Sequence, residues 1–179
     1  TVTVVCGAPN VAKGQKVLDL GAAPGSWSQF AAQKVGSQGF VLAVDQGELA
    51  EPLPGQAEFV QVDVLEPSPE LQEAIERHGP FHLVLSDMAP RTTGIKIRDQ
   101  ARSLELAETA LAYAKSCLLD NGSFVAKIFN GPDVPDFTKQ VRSSFHKVKT
   151  FKPKSSRSES KEVFLVGLGY KRDSQQEDI

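Results

Sequence analysis

Apolar residues fall along this chain in short unbroken runs, separated by stretches in which they recur every three or four positions. The runs are Lys16–Leu20, Phe40–Val44, Phe59–Val62, Phe81–Leu85, Ser123–Phe129 and Val163–Gly167. Each is short and lacks the apolar-polar alternation of a strand with one wet face, so each predicts a buried strand. Val148–Phe151 is a weaker strand of the same kind. Ser26–Val35 sets Trp27, Phe30, Ala31 and Val35 on one side of a helix. Pro69–His78 reads as a second helix, with proline at its start and Gly79-Pro80 beyond its end. Asp99–Leu119 carries Leu104, Ala107, Leu111, Ala114 and Leu118 at helical spacing, and Asn121-Gly122 is expected to stop it. Pro135–Ser144 predicts a fourth helix. Buried strands alternating with helices define an α/β fold, with a largely parallel sheet covered on both faces.

Such sheets bind ligands beyond the carboxyl ends of their strands. The polar residues at those ends therefore matter most. The first run ends in Asp19-Leu20-Gly21-Ala22-Ala23-Pro24-Gly25, the second at Asp45, the third at Asp63 and the fourth at Ser86-Asp87. Glycines in a turn let the backbone approach a ligand closely. Asp45 follows Gly25 by twenty residues, where an acid can take both hydroxyls of a ribose. A dinucleotide site wants G-x-G-x-x-G, with a pyrophosphate on the helix end. Here the spacing is Gly21 to Gly25 and Asp19 stands beside the turn, where a carboxylate repels a pyrophosphate. The same carboxylate suits a ligand bearing an ammonium and a sulfonium, which S-adenosylmethionine carries. Asp63 is then placed to accept from an adenine amino group. A nicotinamide dehydrogenase is disfavoured on the same grounds.

Composition changes this picture little. The chain has 179 residues, 40% hydrophobic and 23% charged, enough for one domain with a sizeable core. No run approaches a membrane span, and no secretory leader is recognisable. Cys6 and Cys117 do not form a metal-spaced pair, and His78, His82 and His146 are scattered, so neither a disulfide framework nor a metal site is expected. The net charge of −2 hides an asymmetry. Lys139, Arg142, Lys147, Lys149, Lys152, Lys154 and Arg157 occupy a stretch with no Asp or Glu, whereas Glu48, Glu51, Glu66, Glu70, Glu73 and Glu76 crowd earlier. By itself such a run is most often a solvated face.

Three charged residues stand out in apolar surroundings. Asp87 follows the fourth run, Lys127 lies inside the fifth and Glu162 precedes the last. Adjacent strands bring them together above the sheet. A lysine withdrawn from water is costly unless paired. Any two of the three make a structural ion pair, but all three beside a cofactor cleft make a reaction site.

D-L-G-A-A-P-G-S-W-S-Q, S-D-M-A-P, F-V-A-K-I-F and K-P-x-S-S-R…S-K-E-V-F occur in this order over about residues 13–170. In these motifs the chain resembles the FtsJ-type ribosomal RNA 2′-O-ribose methyltransferases. The resemblance implies a Rossmann-like methyltransferase fold with a mostly parallel seven-stranded sheet and helices on both faces. It implies a Lys-Asp-Lys-Glu tetrad, of which Asp87, Lys127 and Glu162 match the last three members. Lys127 would receive the 2′-hydroxyl proton or steer its lone pair. The resemblance puts S-adenosylmethionine against Gly25, Trp27, Asp45, Asp63 and Asp87, to which the reading of the turn adds Asp19 and Gly21. The substrate implied is a uridine of large-subunit (23S) ribosomal RNA within the assembled 50S particle, and the enzyme a cytoplasmic monomer. The basic residues from Lys139 to Arg157 then become a surface for RNA phosphates.

The organisation expected is an atypical segment at 1–12, a methyltransferase domain at 13–170 and a polar tail at 171–179. The tetrad's first lysine belongs to a helix before the first strand, in an S-R-x-x-x-K-L-like segment. No such segment occurs here, and Lys13 and Lys16 lie too close to the first strand to replace it. Transfer RNA or an mRNA cap is the alternative substrate, and a catalytically impaired cofactor- or RNA-binding module the alternative role.

Overall fold

The computed structural model describes residues 11–152 and 162–172. Within them the chain runs β1 (Lys16–Leu20), α1 (Ser26–Val35), β2 (Phe40–Asp45), β3 (Ala57–Gln61), α2 (Pro69–His78) and β4 (Phe81–Ser86), then α3 (Lys96–Cys117), β5 (Leu118–Phe129), α4 (Val134–Ser144), β6 (Phe145–Phe151) and β7 (Glu162–Tyr170). The strands form one sheet in the order β3-β2-β1-β4-β5-β7-β6. Pairings among β1 to β5 are parallel, and β7 lies antiparallel to both β5 and β6. From β1 the chain winds outward through β2 and β3, then returns to β4 on the other side of β1. That reversal opens a crevice at the carboxyl ends of β1 and β4.

The apolar runs are buried because both faces of the sheet are covered. Leu18, Leu42, Val84, Phe124, Ala126 and Leu165 pack under α2, α3 and α4, with Leu71, Ala107, Leu111 and Phe137 among the helical contributions. Val17, Val41, Leu85, Val125 and Val166 face the other way and meet Ala31, Ala32 and Val35 of α1. Strand side chains alternate between faces. Asp19, Asp45, Asp87 and Lys127 are each an even number of residues beyond Val17, Val41, Leu85 and Val125. Glu162 likewise shares the parity of Phe164 and Val166. The functional charges thus all emerge on the α1 side, just past the apolar rows that anchor their strands.

Several boundaries differ from the sequence-based expectation. β3 spans Ala57–Gln61 and stops short of Val62 and Asp63, which turn off the sheet. α3 ends at Cys117, and Asn121-Gly122 lies inside β5 rather than at a helix stop. Asn121 takes φ 65° there, beside a register shift opposite Phe81 and Leu83. β6 begins at Phe145, earlier than Val148, because an edge strand needs few apolar side chains. β7 is longer at both ends than Val163–Gly167. α3 starts a turn earlier than Asp99, at Lys96. Cys117 is buried and its thiol is pushed up to about 12 by loss of water. Among the described residues no helix is long and apolar enough to cross a membrane.

Candidate active site

β1 delivers Asp19 and then a turn that only glycine completes. Gly21 has φ +79°, and a Cβ there would stand 2.6 Å from Met88 Cγ and 2.9 Å from the Met88 backbone nitrogen. The Gly21 and Ala22 amides donate to the Val44 carbonyl, which ties the turn to the end of β2. Gly25 takes φ +118° immediately before α1. Asp45 closes the arrangement: Oδ2 accepts from the Ala23 amide at 3.0 Å and Oδ1 from the Gly47 amide at 2.7 Å. A carboxylate offers about four lone-pair positions, so both oxygens retain capacity for ribose hydroxyls.

Asp19 sits beneath the turn, 1% exposed. Its Oδ2 accepts from the Ser28 hydroxyl of α1 at 2.6 Å, while Oδ1 is buried without a hydrogen-bond partner. Burial, opposed by Ser28 and reinforced by the negative charges of Asp87 and Asp45, raises its pKa to about 7. An unpartnered buried carboxylate oxygen is expensive in isolation and is relieved by a nearby cation.

Around the turn lies a cavity of about 630 Å³ whose lining includes Gly21, Ala23, Asp45, Asp63, Asp87 and Met88. Val62, Val64, Leu65, Pro90 and Leu106 give it an apolar wall. Asp63 Oδ1 accepts from the Leu65 amide at 2.9 Å, which fixes the loop after β3 against that wall. An apolar slot with acids at the strand ends and a glycine turn below fits S-adenosylmethionine, as does the orphaned oxygen of Asp19 for a ligand with two positive centres. Trp27 does not line the cavity. It is half-buried against the apolar layer under α1. Gly25 and Asp19 also lie outside the lining, shaping and charging the turn from behind.

Asp87 belongs to the cavity and to a second group beside it. Lys127 Nζ lies 3.0 Å from Asp87 Oδ1 and 3.7 Å from Glu162 Oε1. The lysine side chain is 12% exposed, and the two carboxylates are partly open. The register explains the meeting: Lys127 stands opposite Phe164, and Phe129 opposite Glu162, so Glu162 is the diagonal same-face neighbour of Lys127. A lysine between two acids, one of them on the cavity wall, can hold a hydroxyl and, once deprotonated, take its proton. Lys16 is the first residue of β1, at the opposite end from the turn, and Lys13 precedes it. Neither reaches this group. Residues 1–10 of the N-terminal segment lie outside the described residues.

The basic stretch is not one surface. Lys139 lies on α4, exposed and 4.0 Å from Asp136, and Arg142 is in the last turn of that helix. α4 descends from the site edge, so Arg142 sits at the far end. Lys147 pairs with Leu168, level with Ser123, about 13 Å along the strand from Lys127. Lys149, level with Val125, and Lys152 are nearer the site edge, and all three are exposed. Lys154, Arg157 and the loop Pro153–Arg157 lie outside the described residues, as does the tail from 173 onward. The sequence reading passed over a second basic segment, Arg91 to Arg102, whose Arg91 and Arg102 line the cavity. Its cations are separated by neutral residues and by Asp99, and only the return of α3 to the crevice gathers them.

The sheet order, the crevice at the switch point and the acid-lined slot define an S-adenosylmethionine-dependent methyltransferase. The FtsJ-like methyltransferase family model matches residues 8–170, and the chain belongs to that family. It is 56% identical over 165 residues to the ribosomal RNA large subunit methyltransferase E of Nitratidesulfovibrio vulgaris, covering 92% of this chain and 82% of that protein. The protein of the same name from Bdellovibrio bacteriovorus is 47% identical, covering 88% and 81%. A crystal structure of a ribosomal RNA methyltransferase from Plasmodium falciparum superposes with a TM-score of 0.77 at 24% identity, covering 90% of this chain and 89% of that one. Fibrillarin from Aeropyrum pernix, solved with S-adenosylmethionine bound, superposes at 0.64 with 13% identity, covering 88% and 68%. These last two likenesses concern the fold.

Proposed function

We propose that this protein transfers the methyl group of S-adenosylmethionine to the 2′-hydroxyl of a uridine in large-subunit ribosomal RNA, acting as a cytoplasmic monomer on the assembled 50S particle. The observation that carries the reading is the Asp87–Lys127–Glu162 group beside the acid-lined cavity, in a chain whose relatives are named for large-subunit RNA.

The residues divide the work. Asp45 holds the ribose of the cofactor, Asp63 and the Val62–Leu65 wall hold its adenine, and Asp19 and Asp87 supply negative charge toward its cationic end. Bound there, S-adenosylmethionine supplies an electrophilic methyl. Once Lys127 Nζ has passed a proton to solvent, it receives the proton of the 2′-hydroxyl as the oxygen commits its lone pair to the new carbon bond. Asp87 and Glu162 fix Nζ in place and stabilise the ammonium so formed. Positioning is a large part of the gain, because the hydroxyl must approach in line with the methyl. The test is transfer of labelled methyl to 50S particles, free 23S RNA, transfer RNA and capped RNA, with the product digested to nucleosides. A 2′-O-methyluridine from 50S particles alone is expected. Preference for transfer RNA or a cap, or label on a base, would refute the reading.

A further inference from the structure

Large apolar side chains rarely stand in water without a use when they cluster. Among the described residues three are exposed: Leu65 at 42%, Ile95 at 53% and Ile97 at 80%. Leu65 lines the cavity, and Ile95 and Ile97 stand at the N-cap and in the first turn of α3, reached from the Asp87–Pro90 wall. The segment from that wall into α3 carries Arg91, Lys96, Arg98 and Arg102. All four are exposed, and none is paired within 4.0 Å of an acid among the described residues. The segment's one acid, Asp99, is turned inward and 7% exposed.

Asp99 is what holds this surface in shape. Its Oδ1 accepts from the Thr93 amide at 2.9 Å and from the Thr93 hydroxyl at 2.8 Å, and Thr93 Oγ1 accepts in turn from the Ile95 amide at 3.2 Å. The Thr93 hydrogen bonds hold the Asp99 carboxyl below the usual carboxylate range. A second set of bonds fastens the start of α3 to the strand that bears Lys127. Ser103 Oγ accepts from the Phe129 amide at 2.8 Å, and Gln100 donates to the Asn130 carbonyl at 3.0 Å. The strap is thereby closed on itself through Thr93 and Asp99 and fastened to the sheet at Gln100 and Ser103, with Ile95 and Ile97 left exposed.

We infer that the strap Arg91–Arg102 is an RNA-docking rim, in which Lys96 and Arg98 grip phosphates flanking the methylated nucleotide and Ile95 and Ile97 pack against an unstacked base or ribose. This rests on the RNA reading above and adds where the RNA is held. Charge complementarity selects the occupant: Lys96 and Arg98, exposed and with no acid among the described residues within 4.0 Å, alternate with the exposed isoleucines, and that mixture matches single-stranded RNA, which offers phosphates and base faces. The rim lies at the same sheet edge as Lys127, whereas Arg142 and Lys147 lie toward the other edge.

Steady-state transfer to 50S particles and equilibrium binding to deproteinised 23S RNA test the rim, comparing the parent with Lys96→Ala/Arg98→Ala, with the charge-keeping Lys96→Arg/Arg98→Lys, and with Ile95→Ser/Ile97→Ser. Removing the two charges should raise KM for RNA about tenfold or more and leave kcat and cofactor affinity within twofold. It should also lower the slope of log affinity against log salt by about 1.4 to 1.8, the loss expected for two phosphate contacts. The charge-keeping variant should behave as the parent. The isoleucine variant should raise KM severalfold with the salt slope unchanged. An unchanged KM and slope in the charge variant overturns the rim. So does a loss seen on 50S particles but absent on deproteinised RNA, which would assign the surface to a ribosomal protein. If the parent itself methylates no ribosomal RNA, the underlying reading fails instead, and that result is visible before any variant is compared.

Discussion

Asp19 and Lys127 are charges of opposite sign that leave the same side of the sheet, and the fold treats them in contrary ways. Lys127 is withdrawn from water but meets two carboxylates, Asp87 at 3.0 Å and Glu162 at 3.7 Å. Asp19 is withdrawn more completely and receives one hydroxyl, with its second oxygen left unpartnered. The paired charge has its desolvation offset inside the protein. The orphan resolves its burial by holding a proton up to about pH 7, unless a cation arrives from outside. A site that brings its own partners is built to handle a proton. A site that lacks one is built to be completed by a ligand.

Substitutions break this contrast at different points. Lys127→Ala removes the proton acceptor and should lower methyl transfer by at least about 10³-fold, within the range for loss of a positioned general base. Cofactor affinity, read by calorimetry, should change less than threefold. Asp87→Ala touches both groups, because Asp87 pairs Lys127 and lines the cavity. It should cost about 10²-fold in transfer and weaken cofactor binding together, whereas Lys127→Ala separates the two.

Asp19→Asn tests the orphan. In the parent, binding of the cationic cofactor should tighten as pH rises through about 7, because Asp19 ionises there. The asparagine variant should bind roughly tenfold more weakly at pH 8 and lose that pH dependence. Stability carries the opposite sign. The folded state holds a proton on Asp19 up to about 7 that the unfolded chain releases near 3.8, so this contribution is complete below about 3.8 and is lost as pH rises through about 7. The melting temperature of Asp19→Asn relative to the parent should therefore climb from pH 4 to pH 7 and then level off. A flat difference would show that Asp19 is not displaced from its ordinary range. Ser28→Ala is the mildest change. It deletes the one hydrogen bond that lowers the Asp19 pKa, so the cofactor-binding transition should move to higher pH, with about 1 kcal/mol lost in stability.

The contrast also separates what could be read in the sequence from what could not. Lys127 was legible because a lysine inside Ser123–Phe129 violates an otherwise apolar run, and the acids at Asp45, Asp63 and Asp87 because each ends such a run. The seven-stranded sheet with helices on both faces follows from the same pattern. Asp19 was legible as a ligand-side acid, but its seclusion was not. That depends on Ser28 and the apolar layer of α1 closing over it. β6 was half-missed because His146, Lys147, Lys149 and Thr150 are exposed on an edge strand and leave no apolar run. Leu118–Gly122 was misread because Asn121-Gly122 signals a turn, while here it sits where β5 shifts register against β4. The cations of the strap escaped notice because their clustering is made by the path of the chain from Pro90 into α3. Lys139 to Arg157 stands out in the sequence instead because no acid interrupts it, although the fold spreads Arg142 and Lys147 away from Lys127.

The central claim is that Lys127, held by Asp87 and Glu162, works on a ribose hydroxyl of large-subunit RNA. Its most direct test is the nucleoside product formed when the protein and labelled S-adenosylmethionine meet 50S particles that lack the modification. The expected result is one labelled 2′-O-methyluridine per particle, absent with Lys127→Ala although that variant still binds cofactor. Label on a base, or undiminished ribose methylation by Lys127→Ala, would contradict it.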